Sequence, residues 1–321
     1  MKLTERQFVE KLRRAARRRM GASTRRGLHL RQGIGDDCAV LSGAGKYDLL
    51  ITTDLMLEGV HFRREWQQAD SLGHKVLARG LSDIAAMGGI PRHAFLSLAL
   101  PRGTDFRWVD QFFAGLFRLA ESNGVTLAGG DTAASMSGIV ADIVVIGEAP
   151  RRKAILRSGA RPGDEIWVTG VLGGAAAGLD LLRQGKRIAR RKQSLRPLFY
   201  PQPRLAIGRW LSRRGLASAM IDLSDGLSID LARLCQASGV GACIDADAIP
   251  RLRRTPLEYA LHGGEDFELL FTVSARRAGK IPTQVEGARL TRIGQIQRGR
   301  RLRLVRAGRE EVLPVLGFEH F

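Results

Sequence analysis

Apolar residues recur at helical spacing through residues 71–87, where Leu72, Val76, Leu77, Leu81 and Ile84 form one stripe. Asp70 or Ser71 serves as the cap, and Gly88-Gly89 and Pro91 end the helix. The same period predicts a helix over residues 106–122, on Phe112, Phe113, Leu116, Phe117 and Leu119, and further helices over 175–182, 204–213 and 227–235. Short apolar runs predict strands at 39–41, 48–54, 93–100, 125–128, 139–146, 165–169, 219–223 and 267–273. From about residue 290 onward short strands are expected, with 298–309 as a solvated hairpin. At the start, Thr4 caps a helix whose stripe is Leu3, Phe8 and Leu12 and whose last turn is the basic 13–19. It is read as a docking helix followed by a basic turn, and Glu5 and Glu10 argue against a targeting segment.

Strands and helices alternate, so the fold class is α/β (α+β). A charged link, Arg151-Arg152-Lys153, follows Pro150 and suggests two domains, 1–150 and 151–321, in keeping with about 150 residues per domain. Residues 185–193 read as a basic loop, and Pro197, Pro201 and Pro203 as an irregular joint.

Composition adds two constraints. Lys+Arg 51 against Asp+Glu 32 gives a net charge of +19, which favours anionic partners such as nucleotides or nucleic acid, or simply a solvated basic surface. Cys38, Cys235 and Cys243 have no zinc spacing and form no even set, so they read as reduced thiols of a cytoplasmic protein. No apolar run reaches the roughly 20 residues that span a bilayer, and no signal-like apolar core opens the chain, so no membrane partner is expected.

The candidate chemistry lies where acids meet glycines or strand ends. Gly33-Ile34-Gly35-Asp36-Asp37 delivers two adjacent carboxylates, which raise each other's pKa unless a cation or donors neutralise them. Asp54 ends the run Thr52-Thr53-Asp54, and strand ends are where α/β proteins place ligand chemistry. Lys75, Arg79 and Asp83 share a helical face, read either as a salt-bridged surface or as a site. Asp83 sits among small and apolar residues, where an acid needs a partner. Gly129-Gly130-Asp131-Thr132 can cradle phosphate and meet a metal, or make a tight turn. Ile221-Asp222-Leu223-Ser224-Asp225-Gly226 and Gly263-Gly264-Glu265-Asp266 repeat the theme. Carboxylates with hydroxyls and few histidines select Mg²⁺ or Mn²⁺ over zinc. With a basic chain, this suggests a triphosphate handled through magnesium. Walker A, protein-kinase and Rossmann signatures are all missing.

These motifs, together with Gly59-Val60-His61-Phe62, the segment from Leu81-Ser82-Asp83 to Met87-Gly88, and Arg157-Ser158-Gly159-Ala160, resemble in order and spacing the thiamine-monophosphate kinase family. That family belongs to the aminoimidazole-ribonucleotide synthetase-like superfamily. The resemblance implies a two-domain fold, and a homodimer whose N-terminal sheets pair into a barrel. It implies ATP-dependent phosphorylation of thiamine monophosphate to thiamine diphosphate by direct in-line transfer with several Mg²⁺ ions. It makes Asp37, Thr52, Thr53, Asp54, Asp83, Asp131, Asp222 and Asp225 the metal ligands, with Asp54, Asp83, Asp131 and Asp222 catalytic. Gly130, Asp131, Arg157 and Ser224 would hold ATP, and His61, Glu265 and Phe318 the thiamine phosphate. The alternatives are another ATP-dependent synthetase of the superfamily and, in a different class, a basic nucleic-acid-binding protein. The selenophosphate synthetase pattern wants a reactive Cys in a glycine-rich segment before Cys38, and none is present. An aromatic content of 6% offers little stacking platform for nucleic acid.

Overall fold

A computed structural model describes residues 4–20, 27–185 and 193–320. Leu3, residues 186–192 of the basic loop, Phe321 and the side chains of Arg17 and Arg19 lie outside the described residues.

The first half runs α1 (Glu5–Met20), β1 (His29–Gln32), β2 (Ala39–Ser42), β3 (Tyr47–Leu57), α2 (Ala69–Ala86), β4 (Ile90–Pro101), α3 (Phe106–Ser122), β5 (Thr126–Ser135) and β6 (Val140–Pro150). Its strands form a six-stranded sheet in the order β1-β2-β3-β6-β4-β5. The second half runs β7 (Glu165–Thr169), α4 (Gly174–Arg183), a 3₁₀ turn at Gln193–Leu195, α5 (Arg196–Phe199), α6 (Leu205–Arg214), β8 (Ala217–Leu223), α7 (Leu227–Ser238), β9 (Gly241–Asp245) and α8 (Leu257–His262). It continues with β10 (Glu268–Val273), α9 (Ala275–Ala278), β11 (Gln284–Val285), β12 (Ala288–Gln297), β13 (Leu302–Arg306) and β14 (Arg309–Val312). The second sheet is ordered β14-β13-β9-β12-β7-β10-β8, with β11 pairing β12.

The helix at the chain start has the expected cap. Thr4 Oγ1 accepts from the Gln7 amide at 3.3 Å, and the Gln7 side chain accepts from the Thr4 amide at 3.1 Å, so each satisfies an otherwise orphaned donor. Glu5 then accepts from the His320 amide at 2.7 Å, which ties α1 to the C-terminal tail.

In α2 the boundary differs from expectation. The helix begins at Ala69 after Gln68, and neither Asp70 nor Ser71 caps it. Both side chains are engaged elsewhere: the Ser71 hydroxyl donates to the Gln68 carbonyl at 2.9 Å, and Asp70 accepts from the Tyr200 hydroxyl at 2.7 Å. α2 is the pivot of the molecule. Leu72, Val76, Leu77, Leu81 and Ile84 are buried in the first core. Its last turn joins a second core with Ile207 and Leu211 of α6 and Met220 of β8. Gly208 permits that approach, since a Cβ there would lie 2.0 Å from the Ala85 carbonyl oxygen.

β5 departs from the tight-turn reading of its glycines. The strand does not stop at Ala128; Gly129, Gly130 and Asp131 pair in register with Phe95, Leu96 and Ser97 of β4. Gly130 has φ 151°, and a Cβ there would sit 1.8 Å from the Leu96 carbonyl oxygen. The glycine therefore serves a close strand-to-strand approach on an exposed sheet edge rather than a turn.

Residues of the first sheet alternate cleanly. Ala141, Ile143 and Val145 are buried in the core that α2 and α3 share. Their neighbours Asp142, Val144 and Ile146 stay half-exposed on the opposite face, in register with Leu55, Thr53 and Ile51.

Candidate active site

Five local devices gather side chains in or behind one cavity of about 660 Å³ between the two halves. The first is the turn before β2, which presents Asp36 and Asp37. The second is the pleat of β3. Because successive side chains point to opposite faces, Thr52 and Asp54 turn toward α2, and Thr53 turns away. Thr52 accordingly donates to Asp83, and Arg79 donates to Asp54 at 2.5 Å, whereas Thr53 donates to Asp142 at 2.8 Å on the other face. The third device is the helical spacing of Lys75, Arg79 and Asp83. The fourth is the end of β8, carrying Asp222, Ser224 and Asp225. The fifth is the loop from Gly263 to Phe267, where Glu265 and Phe267 hold φ 70° and 50°. Non-glycine residues in that conformation cost of order 1–3 kcal/mol each and persist only where the surroundings enforce them. Here the Glu265 amide donates to the Ser224 carbonyl at 2.7 Å and the Phe267 amide to the Leu223 carbonyl at 2.9 Å.

Asp37, Asp83 and Asp222 converge. Each offers a carboxylate oxygen, and the three lie within 4.8 Å of one another. Burial, reinforced by the neighbouring carboxylates, pushes Asp83 and Asp222 well above the ordinary carboxylate range. Burial and the Asp37 charge likewise push Asp36 to about 7. The protein only partly offsets this charge. Arg157 donates to Asp37 at 2.7 Å and Ser82 to Asp222 at 2.7 Å, while Asp37 Oδ2 is buried without a partner. Hard oxygen donors that repel one another, one of them unsatisfied, fit a divalent cation such as Mg²⁺.

Asp225 stands beside this group in a second arrangement. Arg233 bridges Asp225 and the buried Asp230, the latter at 2.8 Å. Asp230 in turn accepts from the amides of Asp225 and Gly226 at 3.1 Å each, which fixes the turn. Ser224 lines the cavity, its hydroxyl donating to Asp222 at 3.5 Å.

Lys75, Arg79 and His61 line the same cavity, with Glu265 between the two cations. Lys75 is 1% exposed, and its ammonium lies 2.6 Å from Glu265. Burial pushes the Lys75 pKa down, and the Glu265 carboxylate resists that. The salt-bridged-surface reading of this helical face is therefore corrected: the face is buried and points into the site.

His61 Nδ1 accepts from the Leu57 amide at 3.0 Å, so the proton of the neutral ring sits on Nε2, which is buried and without a partner. The ring packs against Phe318 at 5.8 Å and His320 at 5.1 Å between centroids. Burial first, then the Arg79 and His320 charges, lower the His61 pKa to about 4. A histidine whose pKa is lowered stays neutral above that value. His61 is thus expected to remain an uncharged Nε2–H donor from pH 5.5 to 8. Its ¹⁵N ring shifts should be flat across that range, and a titration midpoint near 6.5 would contradict this.

Of the residues singled out from sequence, the structure gathers Asp54, His61, Asp83, Asp222, Ser224, Asp225, Glu265 and Phe318 around the cavity. Asp37, Thr52 and Arg157 stand behind it through their bonds to the cluster. Gly130 and Asp131 are placed elsewhere. They line a smaller cavity of about 320 Å³ on the sheet edge with Leu96, Leu98, Phe113 and Leu127. Thr53 faces the same outer side as Asp142. The partners that sequence reasoning missed are Ser82, Arg233, Asp230 and His320. Only Ser82, adjacent to Asp83, carried a signal.

Comparison with known proteins follows the same lines. The family description "AIR synthase related protein, N-terminal domain" matches residues 35–149, and "AIR synthase related protein, C-terminal domain" matches 161–306. The thiamine-monophosphate kinase of Salmonella typhimurium is 39% identical over 308 residues, covering 92% of this chain and 93% of that protein. The Bacillus subtilis thiamine-monophosphate kinase is 33% identical over 305 residues, covering 90% and 93%. A solved structure described as AaThiL complexed with AMPPCP and TMP superposes with a TM-score of 0.84 at 30% identity, covering 100% of this chain and 99% of that one. The thiamine-monophosphate kinase of Stenotrophomonas maltophilia gives 0.75 at 34% identity, covering 94% and 97%. With two AIR synthase-like domains and this extent of identity, the chain belongs to the thiamine-monophosphate kinase family.

Proposed function

We propose that the protein transfers the γ-phosphoryl group of ATP to the phosphate of thiamine monophosphate, giving thiamine diphosphate and ADP. The observation that carries this reading is the Asp37–Asp83–Asp222 cluster, opening beside a cavity that His61 and Lys75 also line. Asp37, Asp83 and Asp222, with Asp54 and Asp225 beside them, would hold Mg²⁺. Bound there, Mg²⁺ supplies charge neutralisation between two phosphate esters and in-line alignment.

The chain's own residues do the rest. His61 donates Nε2–H to an acceptor phosphate oxygen without carrying a charge that would compete with the metal. The Lys75–Glu265 pair fixes the wall behind it, and Phe318 covers the ring of His61. Ser224 would meet the nucleotide phosphates from the second half, with Arg157 behind it holding Asp37. The acceptor needs no strong general base, because a phosphate monoester is already largely ionised at neutral pH, its second pKa being about 6. One P–O bond forms at the γ-phosphorus as the bond to the leaving ADP breaks. The assay is purified protein with MgATP and thiamine monophosphate. Thiamine diphosphate and ADP should form in equal amounts, and free thiamine should not react. ADP without thiamine diphosphate would overturn the reading.

A second copy of the chain completes the site in this reading. The outer face of the first sheet carries Leu49, Ile51, Leu55, Val144, Ile146 and Phe95, half-exposed or exposed, although such positions are normally covered. Pairing two such faces closes a barrel and brings Asp131 and Gly130 of the exposed edge to an interface. Light scattering should give twice the 35.2 kDa chain mass, and Val144→Glu should give the monomer. A wild-type monomer at micromolar concentration would contradict the pairing. Among the described residues no helix is long and apolar enough to cross a membrane.

A further inference from the structure

Arg79 has a place in the site that the phosphoryl-transfer reading does not use. It projects from α2 between two acids, with side-chain exposure of 15%. Nη2 lies 2.5 Å from Asp54 Oδ1, and Nη1 lies 3.9 Å from Glu265 Oε1. Nε is buried without a partner. Glu265 is already committed to Lys75 at 2.6 Å, so Asp54 is the strong partner of the guanidinium. Yet Asp54 borders the same cavity as Asp83, Asp222 and Asp225, where a divalent ion would want its oxygen. A carboxylate oxygen held by a guanidinium at 2.5 Å cannot ligate a cation without bringing two positive charges together, and at low local dielectric that repulsion is large.

We infer that Arg79 is an electrostatic place-holder that competes with the divalent ion for Asp54 and yields it when an anionic phosphate ester enters the cavity. This rests on the metal-site reading above. The unpartnered Nε and the loosely held Nη1 give the guanidinium somewhere to go, because a phosphate beside His61 Nε2–H can accept both. Arg, being permanently charged and forked, suits this exchange in a way that Lys does not. The consequence is coupling. The phosphate ester tightens the metal at Asp54, and by linkage the metal tightens the ester by the same factor, a factor that for such couplings is typically about 5–150-fold. The resting protein keeps a cation on Asp54 without waiting for metal, and the Asp54 site binds metal more tightly once a phosphate ester is present.

The test is Mn²⁺ binding by the full-length protein, followed by calorimetry and by the electron paramagnetic resonance of free Mn²⁺. The site at issue is the class of Mn²⁺ sites that Asp54→Asn deletes. With Mn²⁺ alone, Arg79→Gln is expected to bind at that class about tenfold or more tighter than wild type, and Arg79→Lys close to wild type. Adding thiamine monophosphate should tighten Mn²⁺ binding in wild type and much less in Arg79→Gln. A merely structural Arg79 would instead make the neutral variant bind Mn²⁺ more weakly, and that result overturns the inference, as does unchanged affinity. Arg79→Met, neutral and of similar length, takes the same measurement if Arg79→Gln does not fold. The Mn²⁺-alone arm contains no thiamine compound, so its failure is separable from failure of the substrate assignment.

Discussion

Asp54→Asn is expected to lower turnover about a hundredfold or more at saturating MgATP and thiamine monophosphate, the scale of losing a major electrostatic stabiliser of the transition state. Asp54 is placed for this role by strand alternation, which turns it toward α2 and the cavity while Thr53 turns away. Burial raises its pKa, and the Arg79 guanidinium beside it opposes that rise. The asparagine keeps the shape and one acceptor oxygen but removes the anion, so the loss should fall on the chemical step more than on folding. The checks are kcat across a Mg²⁺ series and a melting curve. A near-normal rate at saturating Mg²⁺ would remove Asp54 from the site.

Glu265→Gln is expected to have the largest effect on stability. It leaves the ammonium of Lys75, 1% exposed, with no carboxylate beside it. Removing one member of a buried pair typically costs about 3–5 kcal/mol, and since Glu265 is itself part-exposed the lower end applies here. Denaturant titration should therefore show a loss of about 3 kcal/mol, together with a raised KM for thiamine monophosphate. The double variant Lys75→Met with Glu265→Leu separates the two roles. Replacing both charges by apolar groups of similar size is often neutral for stability, so folding should recover while catalysis does not. If the double variant recovers activity as well, the pair is structural and the acceptor is bound elsewhere.

The parts of this molecule that could be read from sequence are those governed by local periodicity. The helix Phe106–Ser122 matches its apolar stripe at both ends because Asp105, by accepting from the Arg107 amide at 2.9 Å, and Asn123 punctuate it. The alternation of strands with helices was legible too, while the two-domain α/β fold came from the family resemblance of the acid-and-glycine motifs. What stayed hidden is non-local. β9 and α8 fall in a stretch, 236–262, that has no strong period of its own, and β9 gains its place only by pairing β12 and β13. The short α5 lies where three prolines suggested an irregular joint. The Gly129-Gly130 pair could not be distinguished from a tight turn, because its cause is the nearness of the Leu96 carbonyl across the sheet. Thr52 and Thr53 were grouped by adjacency, yet the pleat sends them to opposite faces. Lys75, Arg79 and Asp83 show the same spacing whether a helical face meets solvent or a cavity, so their burial became visible only once α2 was seen between the two sheets. The three cysteines are free, as their spacing suggested.

In the proposed reaction Asp37, Asp83 and Asp222 stand together to hold divalent cations against phosphate esters. The most direct measurement is an anomalous difference map from crystals grown with Mn²⁺, a non-hydrolysable ATP analogue and thiamine monophosphate. The expected result is at least one peak bonded to carboxylate oxygens of all three aspartates at about 2.1 Å, the distance hard divalent ions of this size adopt. Nucleotide bound with no anomalous peak at that triad would contradict the account.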